Sequence, residues 1–63
     1  MTTNKEAADN VKSKVGAANY ARFVEILVDE SADKAEKFLN KMGIPKEESV
    51  LAVQYEEEMF LSA

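Results

Sequence analysis

A chain of 63 residues with 46% hydrophobic side chains, a formal net charge of -4 and neither cysteine nor histidine excludes disulfides and any thiolate or imidazole metal site. At this size a lone hydrophobic core is marginal, so oligomerisation is the remaining aid to stability. The eight basic and twelve acidic side chains are also unevenly placed, which disfavours a phosphate-binding face. Lys5, Lys12, Lys14 and Arg22 outweigh Glu6 and Asp9 in the first third, whereas Lys34, Lys37, Lys41 and Lys46 are outnumbered by carboxylates thereafter.

In chain order, Thr3-Asn4-Lys5-Glu6 reads as a capping box opening a helix. Ala7, Ala8, Val11 and Val15 then fall on one face, a narrow stripe of small residues that predicts a weakly held N-terminal arm. Gly16 is suited to end it.

The stretch from Asn19 to Gly43 carries most of the large apolar residues. Asn19 is a candidate N-cap, and Ala21, Val24, Val28, Ser31, Ala35, Phe38 and Met42 recur at helical spacing. Asp29-Glu30-Ser31-Ala32-Asp33 contains good caps in mid-stretch. The steady phase and the pairs Glu30 with Lys34 and Asp33 with Lys37 nevertheless favour one long helix kinked near Ser31. Between Tyr20 and Val28 the segment is apolar almost all round, and such a helix wants neighbours on every side. Two neighbouring helices would not cover it, so a second copy or another protein is expected there. Phe23, Val24, Leu27, Val28 and Phe38 are the candidate self-association residues.

Gly43-Ile44-Pro45 marks a sharp corner, with Pro45 in the first turn of a last helix running to about Leu61. Leu51, Ala52, Tyr55 and Met59 share one face of it. Glu56, Glu57 and Glu58 lie near its carboxyl end, where the helix dipole opposes negative charge. With Phe60 they are the candidate partner-docking residues, reading as a patch for a basic surface beside a hydrophobic anchor.

Leu39-Asn40-Lys41-Met42-Gly43-Ile44 and the helix after it resemble fragments of two families. In a helix-turn-helix, Gly43 would be the turn glycine, but a recognition helix opening Pro45-Lys46-Glu47-Glu48 would aim carboxylates at DNA. In ubiquitin-associated domains the motif is Met-Gly-aromatic. Met42, Gly43 and Ile44 stand there, with Ser49 and Ala52 at the small positions, Ile44 replaces the aromatic, and too few residues follow Val53 for a last helix. Both likenesses express the general grammar of a helix-glycine-helix corner.

Catalytic chemistry has little to work with. Ser13, Ser31, Ser49 and Ser62 have no evident base, and the carboxylates read as solvated. Asp29, Glu30 and Asp33 lack the glycine and terminal glutamate of a calcium loop. No cofactor or metal is expected. No apolar run approaches the roughly 20 residues of a membrane span, and MTTNKEAADN has no signal layout, so a cytoplasmic protein is expected.

The sequence thus predicts a single all-α domain over 1–63, a small bundle or helical hairpin with an N-terminal arm, completed by oligomerisation. The rival fold pairs RFVEILV and SVLAVQY as strands of a βαβ unit completed by a dimer. The expected function is non-enzymatic: a small acidic regulator, inhibitor or adaptor that binds another protein. An assembly subunit of a larger complex is the alternative, and a helix-turn-helix nucleic-acid binder ranks below both.

Overall fold

The structure is a computed structural model and describes residues 3–62. It contains four helices, α1 (Asn4–Val15), α2 (Ala17–Asp29), α3 (Ala32–Lys41) and α4 (Lys46–Ser62). There is no strand among the described residues; RFVEILV lies within α2 and SVLAVQY within α4. The principal packing pairs are α1 with α4, α1 with α2, α2 with α3 and α3 with α4, which closes the helices into a ring.

α1 starts where the capping chemistry places it. Thr3 is extended, and its Oγ1 accepts the Glu6 amide at 3.1 Å. The helix is not the loose arm its narrow stripe suggests. Ala7, Ala8 and Val11 are buried, because small side chains allow α1 to lie close against α4, its main neighbour. Two polar links hold the antiparallel pair at its ends: Asn4 Nδ2 donates to Glu58 Oε1 at 2.8 Å, and Lys14 Nζ pairs with Glu48 Oε2 at 3.0 Å. Both are solvated enough to contribute about 1 kcal/mol or less, so the buried residues carry the packing.

Gly16 alone separates α1 from α2. Its amide donates to Lys12 O at 2.9 Å and its carbonyl accepts the Tyr20 amide at 2.9 Å, so one residue closes the first helix and opens the second. Its φ of 91° and ψ of 157° belong to a region that side-chain-bearing residues avoid. Asn19 is therefore not the N-cap of α2. It sits in the first turn, where its Nδ2 donates to Val15 O at 2.8 Å and satisfies a carbonyl left over from α1.

The central stretch is two helices, not one kinked helix. α2 stops at Asp29, Glu30 leaves helical geometry, and extended Ser31 caps α3 by accepting the Lys34 amide on its Oγ at 3.2 Å. The pairs Glu30–Lys34 and Asp33–Lys37 both form at 3.3 Å. They are no sign of continuity, since Glu30 reaches Lys34 from outside the helix. The register also differs from the spacing-based seam. Val28 and Met42 are exposed, and although Ala35 of that seam is buried, the rest of the interior here comes from Tyr20, Phe23 and Ile26 of α2 and Leu39 of α3. A helix apolar on nearly all sides offers several stripes, and the one bearing the two aromatic rings is buried; their centroids lie 5.2 Å apart in a tilted arrangement.

Because the break yields a fourth helix, one chain buries Tyr20, Phe23 and Ile26 of the apolar belt, with Val24 and Leu27 half-buried and Val28 exposed. Phe23, at 0% exposure, is the largest fully buried side chain, and burial of such a residue stabilises by roughly 1.5–3 kcal/mol.

The α3–α4 corner is a Schellman motif. The Ile44 amide donates to Leu39 O and the Gly43 amide to Asn40 O, each at 3.1 Å, with Gly43 at φ 91°. Ile44 and Leu39, the pair whose contact accompanies this motif, are both in the core. Pro45 precedes the first helical residue of α4, one position earlier than expected, and its carbonyl accepts the Ser49 amide at 3.0 Å. α4 buries Ser49, Ala52 and Val53, whereas Met59, assigned to the inner face by spacing, is exposed.

Candidate interaction surface

The three consecutive glutamates of α4 do not form one patch. Successive residues on a helix point about 100° apart, so each meets a different environment. Glu56 is half-buried and its Oε2 accepts the Tyr20 hydroxyl at 2.7 Å, joining α4 to α2. Glu58 faces α1, where it accepts from Asn4. Glu57 alone turns to an open cleft of about 360 Å³, lined also by Leu27, Val28, Ala32, Phe60 and Leu61. Of the four residues expected to dock a partner, Glu57 and Phe60 are thus brought together, while Glu56 and Glu58 serve helix contacts.

The five residues expected to drive self-association are likewise divided. Phe23 lies wholly inside the chain and offers no surface. Val24, Leu27 and Phe38 are half-buried against the core. Val28 is 55% exposed and stands at the cleft beside Leu27. Phe38 instead lies in a second, smaller depression with Ile26, Glu30, Lys34, Lys37 and Lys41.

Three elements supply the cleft: the last turn of α2, the first turn of α3 and the last turns of α4. Val28, Phe60 and Leu61 are 55%, 51% and 87% exposed, and Met59 lies beside them in sequence with half its surface free. Leu61 and Ala32 lie outside both sets of expected interface residues. The available signal was the run Met59-Phe60-Leu61, which spans more of the helix circumference than one neighbour can cover.

The electrostatics around the cleft have one dominant sign. α2 and α4 both end here with no basic residue in the last turn, so their carbonyl termini add to the charges of Asp29 and Glu57, whereas Glu30 is paired with Lys34. α3 begins here and contributes its positive end, offset by Asp33 in its first turn. Away from the cleft, burial and then the hydrogen bond to Glu56 push the Tyr20 phenol well above its ordinary range.

At the α3–α4 corner the first turn of α4 carries Glu47 and Glu48, the latter held by Lys14. Among the described residues no three metal-ligating side chains converge, and no helix is long and apolar enough to cross a membrane. Neither a protein-family model nor a curated protein nor a solved structure matches the chain.

Proposed function

We propose that this is a small acidic binding protein, a regulator, inhibitor or adaptor, which acts by docking another protein on the cleft between the ends of α2 and α4. The observation that carries the reading is the contiguous exposure of Val28, Phe60 and Leu61 in a chain whose remaining large apolar residues are mostly packed. Exposed apolar side chains clustered around a depression, with a charged residue at its rim, mark interaction sites. A non-catalytic role is supported by the lining, in which Glu57 is the only titratable side chain among the described residues. Acid-base catalysis calls for a positioned proton donor or acceptor in a site that excludes water, and this cleft is open.

Self-association through the same end, as in an assembly subunit, is the second reading. It is favoured by the outer edges of Val24 and Leu27, which remain half-exposed on the helix that also carries Val28. Affinity capture from the native cell tests the first reading, with wild type against the double variant Phe60→Ser, Leu61→Ser. Specific capture that the double variant loses is the expected result; identical captured proteins for both would overturn it. Sedimentation over a range of concentrations separates the readings, since a dimer that the same double variant dissolves supports the second.

A further inference from the structure

The geometry points to a basic amphipathic helix of a partner protein as the occupant of the cleft, an inference that rests on the binding reading above and adds the partner's chemistry. The apolar lining comes from three helices, Leu27 and Val28 of α2, Ala32 of α3, and Phe60 and Leu61 of α4. Such a depression between helices receives the side chains that a second helix presents at i, i+4 and i+7. A peptide that adds itself as a strand would need a sheet edge, and there is no strand among the described residues. At about 360 Å³ the cleft is near the lower end of the roughly 300–1,000 Å³ of small-molecule sites, and its openness suits an anchor side chain from a larger body.

Charge selects the partner. Glu57 lines the cleft, and Asp29, outside the lining, ends the helix whose last turn supplies Leu27 and Val28; among the described residues neither has a cationic group within ion-pairing distance. The lysines nearest in sequence, Lys34 and Lys37, are engaged by Glu30 and Asp33. Both helices that terminate at the cleft add negative dipole ends uncompensated by a basic last turn. The one positive contribution, the start of α3, is capped by Ser31 and faced by Asp33. A second copy packed cleft to cleft about a two-fold axis would set one acidic rim against another, like charge on like charge. An anionic membrane is disfavoured by the same sign. Lysines or arginines flanking an apolar helical stripe complement both features.

The test uses the full chain and a fluorescent peptide of about four helical turns with leucines at i, i+4, i+7 and i+11 and lysines beside them. A second peptide carries glutamate at each lysine position. Fluorescence anisotropy at low salt is expected to show the lysine peptide binding about tenfold or more tightly than its glutamate counterpart, with the difference shrinking as salt rises. Amide chemical shifts should move around Val28, Ala32, Phe60 and Leu61. The variant Asp29→Lys, Glu57→Lys, altered at two exposed positions and checked for helicity by circular dichroism, should reverse the preference. Equal affinities, absence of binding by the lysine peptide, shifts elsewhere on the chain, or a self-dimer occupying the cleft would each overturn the inference. Cellular capture that depends on Phe60 and Leu61 but is indifferent to the charge reversal would sink the basic-helix inference alone and leave the binding reading standing.

Discussion

Tyr20 and Glu56 meet across the molecule, the phenol of α2 donating to the carboxylate of α4 at 2.7 Å. Burial is the largest cause of the raised pKa of Tyr20, followed by this hydrogen bond and by the charges of Glu56, Tyr55 and Asp9, so the folded chain holds the phenol proton more tightly than the unfolded chain, whose value is near 10.0. The sign follows from linkage: the contribution is fully present below the unfolded value and is lost as pH rises above it toward the folded one. Urea midpoints are expected to be flat from neutrality to about pH 9 and to fall beyond pH 10. Tyr20→Phe should lower stability by about 1 kcal/mol near neutrality and flatten the alkaline fall. Parallel pH profiles for wild type and variant would show that the phenol is not linked to folding.

The two glycines should respond differently to substitution. Each has φ 91°, and a Cβ at either would meet nothing within 4 Å, so the cost of alanine is conformational rather than steric. Gly43→Ala should cost about 1–2 kcal/mol, and Gly43→Asn less, since asparagine tolerates the left-handed cap. Gly16 combines its positive φ with ψ 157°, where asparagine gains no such relief. Thermal denaturation of the four variants is expected to rank Gly43→Asn as mildest and both Gly16 variants as most damaging.

Ser49 is wholly buried in the first turn of α4, with its hydroxyl 3.0 Å from both Asn40 Oδ1 and Pro45 O. One proton serves two acceptors, so Asn40→Ala leaves the hydroxyl satisfied by the Pro45 carbonyl and should cost under about 0.5 kcal/mol through this bond. Ser49→Ala should cost about 1 kcal/mol, and Ser49→Leu about 1–3 kcal/mol from overpacking. Denaturant midpoints of the three check the order.

Asp29 and Glu57 should be dispensable for stability. Each lies near a helix C-terminus with no basic residue in the last turn, so lysine at either relieves a dipole conflict. Asp29→Lys and Glu57→Lys are expected to be neutral or to stabilise by about 0.3–1 kcal/mol, read as an unchanged or raised Tm. A clear loss of stability in either variant would show an unrecognised structural role at that position.

What the sequence revealed was local chemistry. Thr3 as a cap, Gly16 and Gly43 as helix ends, and the corner at Ile44-Pro45 were readable because a few adjacent residues determine them. Ser31 was readable as a cap too, yet the steady spacing around it argued for continuity; the hydroxyl's bond to the Lys34 amide outweighs that pattern. The register of α2 could not be read, since a segment apolar on most sides lets the packing of Tyr20 and Phe23 choose the inner stripe. Directions of Glu56, Glu57 and Glu58 depended on where α1 and α2 would lie, which no local pattern encodes. Burial of Ser49 was hidden for the same reason, although its spacing with Ala52 and Val53 places all three on one face.

The antiparallel pairing of α1 and α4 also decides how the molecule would yield to mechanical load. Tension between the two extremities would fall first on the contact of Asn4 with Glu58 and arrive last at that of Lys14 with Glu48. The pair would peel rather than shear, releasing small alanine and valine contacts one turn at a time, so rupture by pulling is a low-force event.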